Sequence, residues 1–182
     1  PDLGRIVWKH DYSASEYLLP LTMAVHGDHV VYKTTQGIVC RNSGSGEKLW
    51  QTPEPTPSRR LGFSAPTLVA TEDVVLCADH PVGEKNGGSA QGPVEWGVGG
   101  RRVRGFPDRK LSELRAYDID TGRFLWKQPC GEVYHAPVDV FVVGGKVYAS
   151  PHYVGYDLHT GEKLARVDRE APPVSMSHHR CY

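Results

Sequence analysis

Residues Ala116–Trp126, AYDIDTGRFLW, set a polar turn between two apolar runs and close on a tryptophan. The pattern returns along the chain. Cys40–Trp50 reads CRNSGSGEKLW, Gly155–Ala165 reads GYDLHTGEKLA, and Gly4–Trp8 keeps a clipped form, GRIVW. Aligned on Gly4, Gly46, Gly122 and Gly161, every copy has an apolar residue three places on, and three of the four have Trp one place later. The stretches upstream repeat as well: PLTMAVHGDHVVYKTT from Pro20, APTLVATEDVVLCAD from Ala65 and APVDVFVVGGKVYAS from Ala136. Each is an apolar strand, a tight turn and a β-branched strand. One unit is therefore four short strands over about 40 residues, the period of a propeller blade.

The residue types of the motif fit its shape. Asp118 and Asp157 are expected to accept hydrogen bonds from turn amides. Gly46, Gly122 and Gly161 supply the positive φ that a tight hairpin turn requires. The strand after the turn is expected to alternate, with its Leu or Phe facing inward. The tryptophan offers a large apolar face and one N–H donor, which suits a wedge between neighbouring sheets better than a ligand platform.

The run Ala116-x-Asp118-x-Asp120-Thr121-Gly122-x-x-x-Trp126 resembles the tryptophan-docking motif of the PQQ-type β-propeller repeats. That family includes quinoprotein alcohol dehydrogenases and the propeller lipoprotein of the bacterial outer-membrane assembly machinery. The resemblance spans nearly the whole chain except residues 80–111, and the segments PVDVFVVGGKVYAS and HHRCY look like large bacterial PQQ-repeat proteins. It implies an all-β propeller of four-stranded antiparallel blades, closed in the family at about seven or eight blades. On this reading residues 1–182 are one partial propeller domain. Residues 1–19 end one blade, 20–52 form a blade, 65–128 form a blade with a loop insertion at 80–111, 135–167 form a blade, and 177–182 open the next. Two positions depart from the motif: Ala165 stands where Trp is expected, and Cys40 where a small residue, usually Ala, is expected.

The chain has 182 residues, with 21 basic and 21 acidic side chains. That balance gives no electrostatic case for nucleic acid or an anionic membrane. No apolar run approaches the roughly 20 residues of a membrane span. The chain opens on Pro1 and stops at SHHRCY, as a strand begins, so it reads as a piece of a longer polypeptide and says nothing of a leader. The cysteines, Cys40, Cys77, Cys130 and Cys181, form no CxxC pair, which argues against a zinc ribbon or a redox dithiol. They read as free, partly buried thiols, with one or two disulfides left open for an oxidising compartment.

The second blade carries PVGEKNGGSAQGPVEWGVGGRRVRGFPDRKL between its inner strands and its motif. Glycine density and scattered charge read as a loop. Arg101, Arg102, Arg104, Arg109 and Lys110 outnumber its acids, and Trp96 and Phe106 are its aromatics. One reading is a solvated loop; the other is a lid or partner-contact loop over one face, able to meet an anionic ligand.

Chemistry is fainter. The dehydrogenases resembled hold PQQ with calcium, a catalytic aspartate and, in many members, a disulfide between adjacent cysteines. This chain has no adjacent cysteine pair, and no residue can be carried over to a cofactor role, so PQQ with calcium stands as an implication of the resemblance alone. One polar cluster is worth naming. His135, His179 (or its neighbour His178) and Cys181 fall at the starts of innermost strands, where they would converge on a channel mouth and suit zinc or copper. The alternative is channel histidines bonded to water. His10, His26, His29, His152 and His159 fall in turns or strand ends and read as surface residues.

The leading expectation is a non-catalytic binding or scaffold module in the periplasm or another extracytoplasmic bacterial compartment. Its partner is a protein or small molecule on a loop face or at the channel mouth, beside the remaining blades of the parent propeller. The runner-up is part of a PQQ-dependent quinoprotein oxidoreductase whose cofactor residues lie mostly outside this chain. The third is a metal-binding propeller.

Overall fold

A computed structural model describes residues 4–13, 16–53, 55, 65–79, 95–98, 101–104, 111–131, 138–150 and 154–164. Among these there is no helix, and every strand pairing is antiparallel. The first sheet runs in order through β1 (Leu18–His26), β2 (His29–Thr34), β3 (Ile38–Asn42) and β4 (Lys48–Gln51). The second begins with β5 (Thr67–Ala70) and β6 (Val74–Asp79). A separate hairpin, β7 (Glu95–Val98) and β8 (Arg101–Arg104), intervenes before β9 (Leu111–Asp118) and β10 (Phe124–Gly131) complete the sheet as β5-β6-β9-β10. The third holds β11 (Val140–Val143), β12 (Lys146–Ala149) and β13 (Val154–Asp157), and a bridge from Tyr156 to Lys163 starts a fourth row. Successive sheets of this build, packed face against face, are the architecture of an incomplete β-propeller.

The turns form as their residues require. Asp118 Oδ1 accepts from the Thr121 amide at 2.9 Å and the Thr121 hydroxyl at 2.6 Å. Asp157 holds Thr160 the same way, at 2.9 and 3.0 Å. In the first sheet Asn42 takes this place and accepts from the Gly44 and Ser45 amides. Each turn ends on a glycine with φ near +70°, at Gly46, Gly122 and Gly161.

The core lies between the sheets. β6 reads VVLCAD and is buried along its whole length, because both of its faces are covered. Val75 and Cys77 join Val31, Ile38 and Cys40 in the core shared with the first sheet. Val74, Leu76 and Ala78 join Val147, Ala149 and Tyr156 in the core shared with the third. A strand covered on both faces shows a continuous apolar run, so β6 lacks the alternation of a half-exposed strand.

Two expectations need correction. Leu49 and Phe124 do not face inward: both are exposed and Trp50 and Trp126 are buried, whereas Leu125 packs partly buried against the core as expected. The insertion is not all loop, since EWGV and RRVR pair as a hairpin from Glu95↔Arg104 to Val98↔Arg101. A Gly-Gly separation between two short runs is itself a hairpin signal, obscured here by the glycines around it.

Candidate functional site

The seams between sheets concentrate the polar chemistry. Trp50, on the outer strand of the first sheet, donates from Nε1 to the Ile119 carbonyl of the second at 2.6 Å. Its ring lies so close to Gly122 that a Cβ there would sit 2.6 Å from ring carbon. Trp126 repeats this on the third sheet, with Nε1 to the Leu158 carbonyl at 2.9 Å and its ring against Gly161. Glycine is required twice over at these turns, by backbone conformation and by the indole.

The segment 4–13 treats the first sheet alike. Trp8 Nε1 donates to the Ser43 carbonyl at 2.8 Å, and its ring lies on Gly46. Two residues beyond, Arg41 Nη2 donates to His10 Nε2 at 3.0 Å. Arg41 also donates to the Gly46 carbonyl and to the Tyr32 hydroxyl. Tyr12 meets Tyr32 edge to face, and burial followed by the hydrogen bond with Tyr32 pushes its phenol above the ordinary range.

Charge enters the first seam at the end where the insertion begins. Lys33 Nζ lies 3.1 Å from Asp79 Oδ2, with side chains 3% and 8% exposed. Period two puts Lys33 on the face of Val31, and Asp79 on the face of Val75 and Cys77. The pair therefore caps the apolar core they share, and the Lys33 amide is held by the Thr22 hydroxyl at 3.1 Å. Asp79 is the last residue of β6, directly before the insertion. Breaking such a pair strands a buried charge, so it fixes how the two strands sit against each other.

The opposite end carries one pair in each seam, nearer to solvent than Lys33–Asp79. His29 of the first sheet lies 3.3 Å from Asp120 of the second, and Asp73 of the second lies 2.7 Å from His159 of the third. These imidazoles, and that of His10, are not idle surface groups: each joins two segments. No local signal marked them, because their partners are remote in sequence. On β9, burial works to raise the Glu113 carboxyl, but hydrogen bonds from Arg115 and Lys127 outweigh it and hold the group below its ordinary value. The thiol of Cys40 is pushed up to about 11 by burial, with the Asp120 charge adding to it. Cys40, Cys77 and Cys130 are buried, form no disulfide with one another, and pack in the cores between the sheets.

His135, His178, His179 and Cys181 lie outside the described residues, as do Phe106, Arg109 and Lys110. Among the described residues no group of three or more His, Cys, Asp or Glu side chains is placed to hold a metal ion. No helix among them is long and apolar enough to cross a membrane.

No family model matches the chain, and no curated protein matches it. Among solved structures, a europium-containing methanol dehydrogenase is similar to 59% of this chain at 18% identity and a TM-score of 0.35. The match takes in 15% of that protein's length.

Proposed function

We propose that the chain is a binding and scaffold module of the PQQ-type propeller kind, with tryptophans docked from sheet to sheet and the insertion as its binding element. The observation that supports this is where the polar groups go. Every buried side-chain nitrogen or oxygen among the described residues has a partner. Several of those partners run across seams (indole to carbonyl, Lys33 to Asp79, Arg41 to His10), while Thr22, Thr34 and Thr52 bond within the first sheet. Groups spent in this way build a stiff frame, and binding on such frames falls to the connecting segments. The insertion leaves from Asp79, a residue pinned by a buried ion pair, and its arginines favour an anionic partner, either a protein segment or a small molecule. We propose a periplasmic or other extracytoplasmic compartment for the module, a reading supported by the resemblance of the repeats alone.

Titration with PQQ and calcium, followed by absorbance and dye-linked alcohol oxidation, tests this against a quinoprotein. The module reading expects no saturable, calcium-dependent uptake, and tight uptake with turnover would replace it. Exchanging residues 80–110 for a short Gly-Ser link should leave the melting temperature nearly unchanged and abolish binding of an acidic probe such as polyglutamate. Retained polyglutamate binding would remove the insertion from the binding role.

A further inference from the structure

The hairpin of β7 and β8 sorts its residues by face. Residues directly opposite each other share a face of the ribbon, and the face alternates along each strand. The register pairs Glu95 with Arg104, Trp96 with Val103, Gly97 with Arg102 and Val98 with Arg101. One face therefore holds the positions of Glu95, Gly97, Arg102 and Arg104, and the other those of Trp96, Val98, Arg101 and Val103. Basic residues scattered among glycines in the sequence become, in register, one charged face and one mainly apolar face.

Charge is also sorted by strand. β8 reads RRVR and carries all three arginines, while β7 reads EWGV and carries the one acid. Glu95 stands opposite Arg104, an opposite-charge pair that supports the ladder. Gly97 stands opposite Arg102 and brings no side chain, so β7 supplies no counter-charge at that position. Arg102 and Arg104 are two residues apart on one face, which is roughly 7 Å along the strand. Alternate residues of a second extended chain fall on one face at that same spacing. Two strands by themselves are marginal and gain from a third, and among the described residues β7 and β8 form a sheet of their own.

We propose that β8 is a docking edge: an extended acidic segment of another protein adds beside it as a third strand. Acidic residues at alternate positions of that segment stand level with Arg102 and Arg104. The residue between them is apolar, stands level with Val103, and extends the face of Trp96 and Val98. This rests on the reading of the insertion as the binding element and gives its partner a shape. Main-chain hydrogen bonds along the edge supply affinity, and the alternate side chains supply selectivity. β8 is the edge used because the acid of β7 repels the same segment. A partner held by charge alone needs no alternation, and that separates the two cases by experiment.

Fluorescence anisotropy of labelled peptides on the 182-residue chain tests this. One short peptide alternates glutamate with valine, a second holds the same residues in two blocks, and a third is the alternating peptide N-methylated at every other amide. The alternating peptide should bind about tenfold more tightly than either of the others, which keep its charge and lose its side-chain register or its backbone donors. Arg102→Gln should weaken the alternating peptide about threefold, and Arg101→Gln, the same loss of charge on the other face, should change it little. Equal binding of the three peptides would overturn strand addition and leave the insertion its binding role. Equal effects of Arg101→Gln and Arg102→Gln would overturn the assignment of the face. Undiminished binding of the alternating peptide after residues 80–110 are exchanged for a Gly-Ser link would overturn this inference together with the reading it rests on, as would a wild type that binds none of the three.

Discussion

The two seams on either side of the second sheet use the same indole dock and different charges. Trp50 on Gly122 and Trp126 on Gly161 are near copies, each with one indole hydrogen bond to a turn carbonyl. The first seam then adds the buried Lys33–Asp79 pair. The second seam has the small, buried Ala78 at the position equivalent to Lys33, and Gln128 Nε2 reaches across to the Gly161 carbonyl at 2.8 Å. At the turn end both seams carry a histidine and an aspartate, with the sides exchanged. What recurs is the device that sets the distance between sheets. What varies is the polar closure at the ends of each seam, where neighbouring loops differ.

The strongest way to break this comparison is to remove the shared element. Trp50→Ala and Trp126→Ala each empty a buried wedge and leave a turn carbonyl without its donor. Each should cost up to about 5 kcal/mol by chemical denaturation. Gly122→Ala and Gly161→Ala should destabilise too, because the new Cβ meets the ring and the backbone φ is positive. The informative result is the match between seams. A Trp50→Ala loss far smaller than that of Trp126→Ala would mean that the ion pair, not the indole, holds the first seam.

The next test sharpens the difference. Asp79→Asn leaves the Lys33 ammonium buried beside a neutral group and should cost about 3 kcal/mol. Lys33→Met combined with Asp79→Leu removes both charges and should recover most of that loss or exceed wild type. A double variant as unstable as Asp79→Asn would show that the pair does more than satisfy its own members. With the single variants Lys33→Met and Asp79→Leu added, the double variant completes a mutant cycle for the seam, read by urea denaturation.

The repeated device was legible in the sequence because both of its halves are local. A glycine forced by the turn and a tryptophan four places later recur, so spacing alone exposed them. The buried ion pair was not. Lys33 lies in VVYKTT and Asp79 ends VVLCAD, and each reads as a polar residue closing a strand. Only the seam makes them partners, and the equivalent Ala78 breaks any periodic signal. Leu49 and Phe124 were misread for a related reason. A strand on the outer edge buries one side only, and the indole takes that side. The hairpin of β7 and β8 was hidden by the glycines around it, although Val98 and Arg101 stand two glycines apart. The His135, His179 and Cys181 cluster lies outside the described residues.

The smallest effect concerns the turns, where the same split between shared and variable features recurs. Asp118 is held below its ordinary value first by the Thr121 hydroxyl, and Asp157 first by the Thr160 amide. A carboxyl lowered in the folded state contributes stability above its unfolded pKa, near 4. That contribution is lost as pH falls through the lower folded value. The first sheet uses Asn42 in this place, and an amide has no such dependence. Asp118→Asn should therefore be nearly neutral at pH 7, within about 1 kcal/mol, because Asn42 shows that the amide oxygen can accept the same bonds. Asp118→Asn with Asp157→Asn should flatten the fall in melting temperature below pH 5, and Asn42→Asp should steepen it. Melting curves from pH 7 to pH 3 read both. If the double variant lost stability with acid as steeply as wild type, acid sensitivity would belong to other carboxylates such as Glu113, held low by Arg115 and Lys127 within the second sheet, and the turns would be interchangeable in charge as well as in shape.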